Sequence, residues 1–121
     1  MTRSRPNCAL INLSVATWNA TGLAGKEFDV REGVEKLKLD FIFICETWAR
    51  PNSHAQCDEI LHWSPVDTWE HRGHAPYGVA LWASKDIDRT LLKVIGGAPG
   101  LTIWWSYGRI LFGGIYLPPK T

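Results

Sequence analysis

The sequence predicts an α/β fold in which an initial βαβ unit is followed by antiparallel strands. Two short apolar runs, at residues 11–19 and 41–45, flank a segment whose apolar residues recur at helical spacing. After residue 77 the chain changes to four segments rich in β-forming residues, separated by turn signals. A strand, a helix and a strand in such close succession are typical of a right-handed βαβ unit with parallel, adjacent strands.

The first strand is predicted over residues 11–19, where apolar or small residues occupy both alternating sets. This pattern is typical of a strand that is buried on both faces. The segment FIFIC, residues 41–45, is the second predicted strand, and its continuous apolar run indicates a central position in the sheet.

Between these strands, residues 26–39 are predicted to form an amphipathic helix. Val30, Val34 and Leu37 fall at i, i+4 and i+7, and charged residues occupy most of the remaining positions. Gly33 weakens this helix, because glycine loses more conformational freedom on folding than other residues do. Asp40 is predicted to mark its end.

Residues 49–76 have a less regular pattern and are interpreted as a long, partly ordered excursion. The segment CDEILHW, residues 57–63, is compatible with one or two helical turns. At most a short strand is predicted near residues 68–71. Loops of this length are often functional or mobile.

The last part of the chain predicts strands in YGVALWAS, RTLLKVIGG, GLTIWWSY and RILFGGIYLP. A turn at Tyr107, Gly108 and Arg109 joins the last two as a hairpin. Trp82, together with Trp104 or Trp105, is predicted to face a core between two sheets. Pro118 and Pro119 end the last strand because proline cannot donate to a β ladder.

Length and composition favour one folded domain over residues 11–121, preceded by a disordered lead at 1–10. The chain has 121 residues, of which 45% are hydrophobic and 21% are charged, and this balance excludes a disordered protein. The net charge of +1 neither indicates nor excludes nucleic-acid binding.

Three cysteines without a CxxC pair favour a reducing compartment, so an intracellular location is expected, without a distinction between nucleus and cytoplasm. The early residues do not resemble a signal peptide, and no apolar run approaches the roughly 20 residues that a membrane helix needs. No membrane association is therefore expected.

Two polar side chains follow the two strands of the βαβ unit at their carboxyl ends. Asn19 closes the first apolar run, and Glu46 closes the second. Neighbouring parallel strands lie about 4.8 Å apart, so these side chains are expected to reach a shared cation or phosphate.

Four motifs occur in an order that resembles the endonuclease/exonuclease/phosphatase superfamily. They are TWNATGL after the first strand, CET after the second, then YGVALWAS and finally GIYLPP, and the resemblance extends from Leu13 to Pro119. This superfamily includes DNase I, apurinic endonucleases, the nuclease domains of non-LTR retrotransposons and inositol polyphosphate phosphatases. The resemblance implies the amino-terminal half of a four-layer α/β sandwich, with the apurinic or retrotransposon nucleases as the expected branch.

The resemblance also implies roles for three residues. Asn19 matches the asparagine that orients the scissile phosphate and the metal-bound groups, and Glu46 matches the glutamate that ligates the catalytic cation, Mg²⁺ or Mn²⁺. Both Glu46 and Asn19 are therefore expected at the metal site. Tyr116 matches a tyrosine that contacts the phosphate. DNA is the partner expected of an intact family member.

The family's second half supplies an Asp-x-Asn motif and an Asp-His pair, and neither occurs in this sequence. Phosphodiester hydrolysis by this chain is therefore expected to be absent or very weak. Half of the sandwich would also leave an apolar sheet face uncovered, so self-association or completion by another chain is expected.

Other interpretations stay open at this level. The substrate could instead be a phosphoinositide or another phosphoester, or the chain could be a non-catalytic remnant or interaction module. Glu46 could simply be the first solvated residue of a loop, and Asn19 an ordinary turn residue. His71 and His74 are assigned no catalytic role. Stacking on a base or sugar is considered for Trp48, Trp63 and Trp69.

Overall fold

The computed structural model describes residues 12–48, 59–64 and 78–117. Its elements are β1 (Val15–Asn19), α1 (Glu27–Leu37), β2 (Phe41–Cys45), β3 (Ile60–Ser64), β4 (Val79–Ala83), β5 (Leu92–Gly96), β6 (Thr102–Tyr107) and β7 (Ile110–Ile115). The predicted lead at 1–10 and the predicted short strand at 68–71 lie outside the described residues. Over the described residues, the result is a small α/β-type fold with two sheets, one α-helix and a short 3-10 helix at Arg89–Leu91.

The first sheet has the strand order β1-β2-β4-β3. Strands β1 and β2 are parallel, with Val15 opposite Phe41 and Asn19 opposite Cys45. Strand β4 runs antiparallel to both of its neighbours. The prediction of parallel, adjacent strands on either side of the helix is confirmed.

The second sheet is antiparallel and has the order β5-β6-β7. Strands β6 and β7 form the predicted hairpin, with Tyr107 opposite Ile110. Gly108 in the connecting turn has a φ of 59°, a conformation that glycine adopts without steric cost.

The two sheets pack face to face through one apolar core. Phe41 and Phe43 from β2 meet Ile103 and Trp105 from β6, and all four are buried. Trp105 is therefore the tryptophan of its pair that faces this core, whereas Trp104 is 40% exposed. Phe41 lies with its ring centroid 5.7 Å from that of Trp105.

A second core lies between the first sheet and α1. Val30 and Val34 of the helix contact the opposite face of β2 and β4, which includes Trp82. The prediction that Trp82 faces the core between the sheets was therefore wrong, although the side chain is buried. Trp82 alternates along β4 with Leu81 and Ala83, which do face the second sheet.

Strand β1 is shorter and more exposed than its sequence predicts. It begins at Val15, and neither of its faces is buried as expected; Val15 is 42% exposed and Trp18 is 37% exposed. The reason is its place at an edge of the sheet, where it has one strand neighbour among the described residues. The pattern of small and apolar residues on both faces does not indicate whether a strand lies at the edge of a sheet or in its centre.

Residues 60–64 form a strand, so the interpretation of 57–63 as helical turns was wrong where the structure describes them. A short apolar run carries little periodicity, and pairing with β4 decides its conformation. The helix α1 is close to its prediction but ends two residues earlier, where Lys38 takes a left-handed conformation. No helix within the described ranges is both long and apolar enough to cross a membrane.

Candidate functional site

The loops that follow β1 and β2 continue side by side beyond the two strands. The amide of Ala20 donates to the Cys45 carbonyl at 2.9 Å, and that of Gly22 donates to the Glu46 carbonyl at 2.8 Å. The Leu23 amide then donates to Thr47 at 3.0 Å. The backbone at this edge is therefore one connected layer instead of two independent loops.

Unusual backbone conformations are concentrated in this layer. Of the four non-glycine residues with positive φ that the structure describes, three are Thr21 at 43°, Glu46 at 53° and Trp48 at 59°. The fourth is Lys38 at the helix end. Such conformations cost about 1 to 3 kcal/mol each and persist where the surrounding structure enforces them, which is common at functional sites.

Glu46 meets Tyr116 at this edge. The Tyr116 hydroxyl donates a hydrogen bond to Glu46 Oε2 at 2.6 Å, across 70 positions of the sequence. Tyr116 follows β7 directly and is 7% exposed, and its amide donates to the Leu101 carbonyl at 2.7 Å. Glu46 and Tyr116, two of the three candidate residues, are therefore in contact, and they follow strands of different sheets.

Asn19 lies at the same edge, opposite the residue that precedes Glu46. Its Oδ1 accepts a hydrogen bond from the Thr21 amide at 3.1 Å, which forms a local turn. The oxygen keeps a second lone pair and the amide nitrogen can donate, so the side chain has groups for either a cation or a phosphate.

Cys45 lies directly beneath this edge and is buried in the core between the sheets. Burial raises the pKa of its thiol, a hydrogen bond with Thr17 opposes that rise, and the nearby charge of Glu46 adds to it. Burial therefore favours the protonated thiol in the metal-free protein.

Lys26 also contributes to this edge, although its only signal in the sequence is a place near the start of the helix. Its Nζ donates to the Ala20 carbonyl at 2.5 Å and lies 3.5 Å from that of Thr21. The ammonium group thus ties the start of α1 to the loop after β1. This contact depends on the path of the loop, which local residue patterns do not encode.

The oxygen-bearing side chains at this edge suit a hard cation for which the protein supplies only some of the ligands. A carboxylate, an amide and a phenol are all oxygen groups, and Mg²⁺ is usually held by one or two carboxylates together with waters and substrate phosphates. Within the described ranges, no three His, Cys, Asp or Glu side chains cluster as a metal site. The set therefore does not fit a closed, all-protein metal cage.

The remaining aromatic and histidine candidates are only partly placed. Trp48 is half-buried, and its ring lies against Gly22. The side chain of Trp63, and the residues Trp69, His71 and His74, lie outside the part that the structure describes. Base stacking by the tryptophans stays a prediction.

A scan against protein-family models found no match to this chain, and a search of curated proteins found none either. The relationship suggested by the sequence motifs therefore rests on those motifs and on the site geometry.

Proposed function

We propose that this edge is a divalent-metal-dependent phosphoesterase site of the endonuclease type, in a DNase I-like sandwich. The observation that carries the proposal is the contact of Tyr116 with Glu46. The family resemblance implies a metal role for Glu46 and a phosphate role for Tyr116, and these roles suit two residues that lie close together. Parallel pairing of β1 with β2 and two sheets packed face to face are also consistent with that fold.

Glu46 provides the single negative charge of this group of three and would hold the cation, Mg²⁺ or Mn²⁺. The ion, when bound, would neutralise charge on a phosphate oxygen and supply an activated water. Asn19 would donate from its amide nitrogen to a phosphate oxygen without repelling it. Because both groups are held at strand ends, little ordering is needed when a ligand binds.

Tyr116 has one hydroxyl proton, and the structure uses it on Glu46. Direct donation to a phosphate would require the hydroxyl to leave the carboxylate. We therefore assign Tyr116 first to orienting Glu46. When the carboxylate of Glu46 turns to a cation, the hydroxyl of Tyr116 would become free to contact a phosphate.

We expect this chain to bind substrate phosphates more readily than it hydrolyses them. The sequence has no Asp-x-Asn motif and no Asp-His pair, which the resemblance implies for water activation and transition-state stabilisation. Substrate phosphates would be held near Glu46 and Asn19, with DNA as the expected ligand and hydrolysis very weak or absent.

The test compares wild type, Glu46→Gln and the exposed control Glu32→Gln for binding to a short DNA duplex with and without Mg²⁺. We expect Mg²⁺ to tighten binding in wild type and in the control, but not in Glu46→Gln. An equal metal effect in all three proteins would contradict the proposal. A second arm of the experiment replaces DNA with inositol polyphosphate. Tighter binding of inositol polyphosphate than of DNA would favour the phosphatase branch of the superfamily. Supercoiled DNA nicking measures residual hydrolysis.

A second candidate, a non-catalytic interaction module, is favoured by a different observation. Strands β1 and β7 are edge strands in the part of the chain that the structure describes. They line one groove between the sheets, with a volume of about 330 Å³ and with Val15, Phe43 and Ile115 in its walls. Val15 and Ile115 are 42% and 57% exposed. Edge strands with apolar side chains readily pair with further strands.

The occupant proposed for this groove is a strand-bearing segment of another polypeptide, with alternating apolar residues that would extend the sheets. Light scattering after size exclusion tests the competing occupant, a second copy. Replacement of Val15 by Lys should reduce binding of an added strand-bearing fragment, and Lys replacement of the exposed Leu91 should not. Equal loss with both variants, or dimerisation of the chain alone that Val15→Lys abolishes, would contradict this proposal.

A further inference from the structure

The backbone of Glu46 is held by neighbours on both sides. Its carbonyl accepts from the Gly22 amide at 2.8 Å, and the next residue, Thr47, donates to Gly78 at 3.1 Å and accepts from Leu23 at 3.0 Å. Thr47 is 3% exposed. The left-handed conformation of Glu46, with a φ of 53°, is therefore fixed by the loop after β1 and by the start of β4.

The Trp48 ring lies directly on Gly22. A Cβ atom added to Gly22 would lie 2.6 Å from Cε3 and 2.9 Å from Cζ3 of that ring. These separations are shorter than van der Waals contact, so glycine is required here for reasons of space as well as for its φ of 98°. The ring thus packs on the same residue whose amide holds the Glu46 carbonyl.

We propose that Trp48 is a positioning residue that, through its contact with Gly22, fixes Glu46 in the place from which its carboxylate meets Tyr116. This inference rests on the proposed function only where it concerns metal affinity. Trp48 and Gly22 are not assigned any contact with a cation or a phosphate. They set the distance between the loops after β1 and β2, and hence the direction of the Glu46 side chain.

The chain supplies a matched control for the test. Gly25 lies in the same loop and has a φ of 83°, but among the described residues, its two chain neighbours aside, no atom lies within 4 Å of the place that its Cβ would occupy. Alanine at either glycine strains the backbone in a similar way. Only Gly22→Ala also collides with Trp48, so the difference between the two variants isolates the contact.

The first readout uses metal-free protein and does not depend on the proposed function. The ¹³C signals of the Glu46 carboxyl carbon and of the Tyr116 ring carbon that bears the hydroxyl report their hydrogen bond. We expect both signals to shift in Gly22→Ala and to stay at their wild-type values in Gly25→Ala. Trp48→Ala adds no atom, and it should shift the same signals, whereas Trp48→Phe should largely preserve them.

The second readout is Mn²⁺ affinity, for which we expect a loss of about tenfold in Gly22→Ala and Trp48→Ala, and wild-type affinity in Gly25→Ala. Wild-type protein that binds no Mn²⁺ would overturn the proposed function and leave the positioning role to be decided by the carbon signals. Identical signals in Gly22→Ala and Gly25→Ala, or unshifted signals in Trp48→Ala, would overturn the positioning role.

Discussion

The hydroxyl of Tyr116 donates to Glu46 Oε2 at 2.6 Å and joins the end of β7 to the end of β2. Each residue directly follows a strand of a different sheet, so this bond links the two sheets at the edge where Asn19 also lies. A hydrogen bond to a carboxylate is stronger than a neutral one, because the acceptor is charged. Its loss should affect both stability and the site.

Replacement of Tyr116 by Phe is expected to lower the free energy of unfolding by about 2 kcal/mol, since a charge-assisted bond is lost in a partly buried place. Urea unfolding followed by circular dichroism measures the change. The control is Tyr107→Phe, which removes an acceptor for the exposed Asp88 amide, at 3.0 Å. Water can replace that acceptor, so a smaller loss is expected. Equal losses would show that the carboxylate adds nothing to the Tyr116 bond.

The ion pair between Arg31 and Glu59 is expected to stabilise the fold by linking α1 to the start of β3. Arg31 contacts both carboxylate oxygens, at 3.0 and 3.2 Å, and the Glu59 side chain is only 5% exposed. Arg31→Met should therefore cost about 3 kcal/mol, because a buried carboxylate loses its main partner. Lys85, 3.5 Å from Glu59, moderates this loss.

The control for that prediction is Lys36→Met. Lys36 lies 3.9 Å from Glu32 on the exposed surface of α1, and such a pair contributes about 0.5 kcal/mol or less. Urea unfolding of the two variants compares them directly. A loss in Arg31→Met as small as that in Lys36→Met would contradict the structural role of the Glu59 pair.

Stability should fall as the pH decreases through 6.5, in part because of His62. Burial lowers the pKa of His62 below its ordinary value of 6.5, so the unfolded chain binds a proton more readily than the folded one. The contribution is fully present above pH 6.5 and is lost as the pH falls toward the folded pKa. Urea unfolding between pH 8 and pH 5 measures the slope. The slope should be shallower in His62→Gln, and an unchanged slope would contradict the assignment.

Gly114 allows β7 to approach β2 closely across the core between the sheets. A Cβ at this position would overlap the ring of Phe43, which is 4% exposed. Gly114→Ala is expected to cost about 1 to 3 kcal/mol through overpacking. Gly113→Ala is the control, because its methyl group would meet Trp104, which is 40% exposed and can shift into solvent. Thermal unfolding should place Gly113→Ala nearer to wild type.

The sequence predicted the elements whose patterns are local and strong. FIFIC is a buried strand, the spacing of Val30 and Val34 marks the packed face of α1, and the turn at Gly108 marks a hairpin. Each depends on residues within one element and its immediate neighbours. The shared edge of Asn19 and Glu46 followed from the parallel βαβ arrangement.

The features that were missed depend on how elements are arranged in space. The edge position of β1 depends on strand order, and the side on which Trp82 lies depends on register. The Tyr116 contact with Glu46 joins residues 70 positions apart, and local patterns do not state whether the ends of two sheets meet. The packing of Trp48 on Gly22 likewise depends on left-handed backbone that only the folded loops enforce.

The most direct test of the account is nuclear magnetic resonance of the protein during titration with Mn²⁺, which broadens the signals of nearby nuclei. We expect the side-chain signals of Glu46, Asn19 and Tyr116 to broaden first, at one common Mn²⁺ concentration, and Glu46→Gln to abolish this effect. Broadening that begins elsewhere, or that is unchanged by Glu46→Gln, would contradict a metal site at the shared edge of β1 and β2.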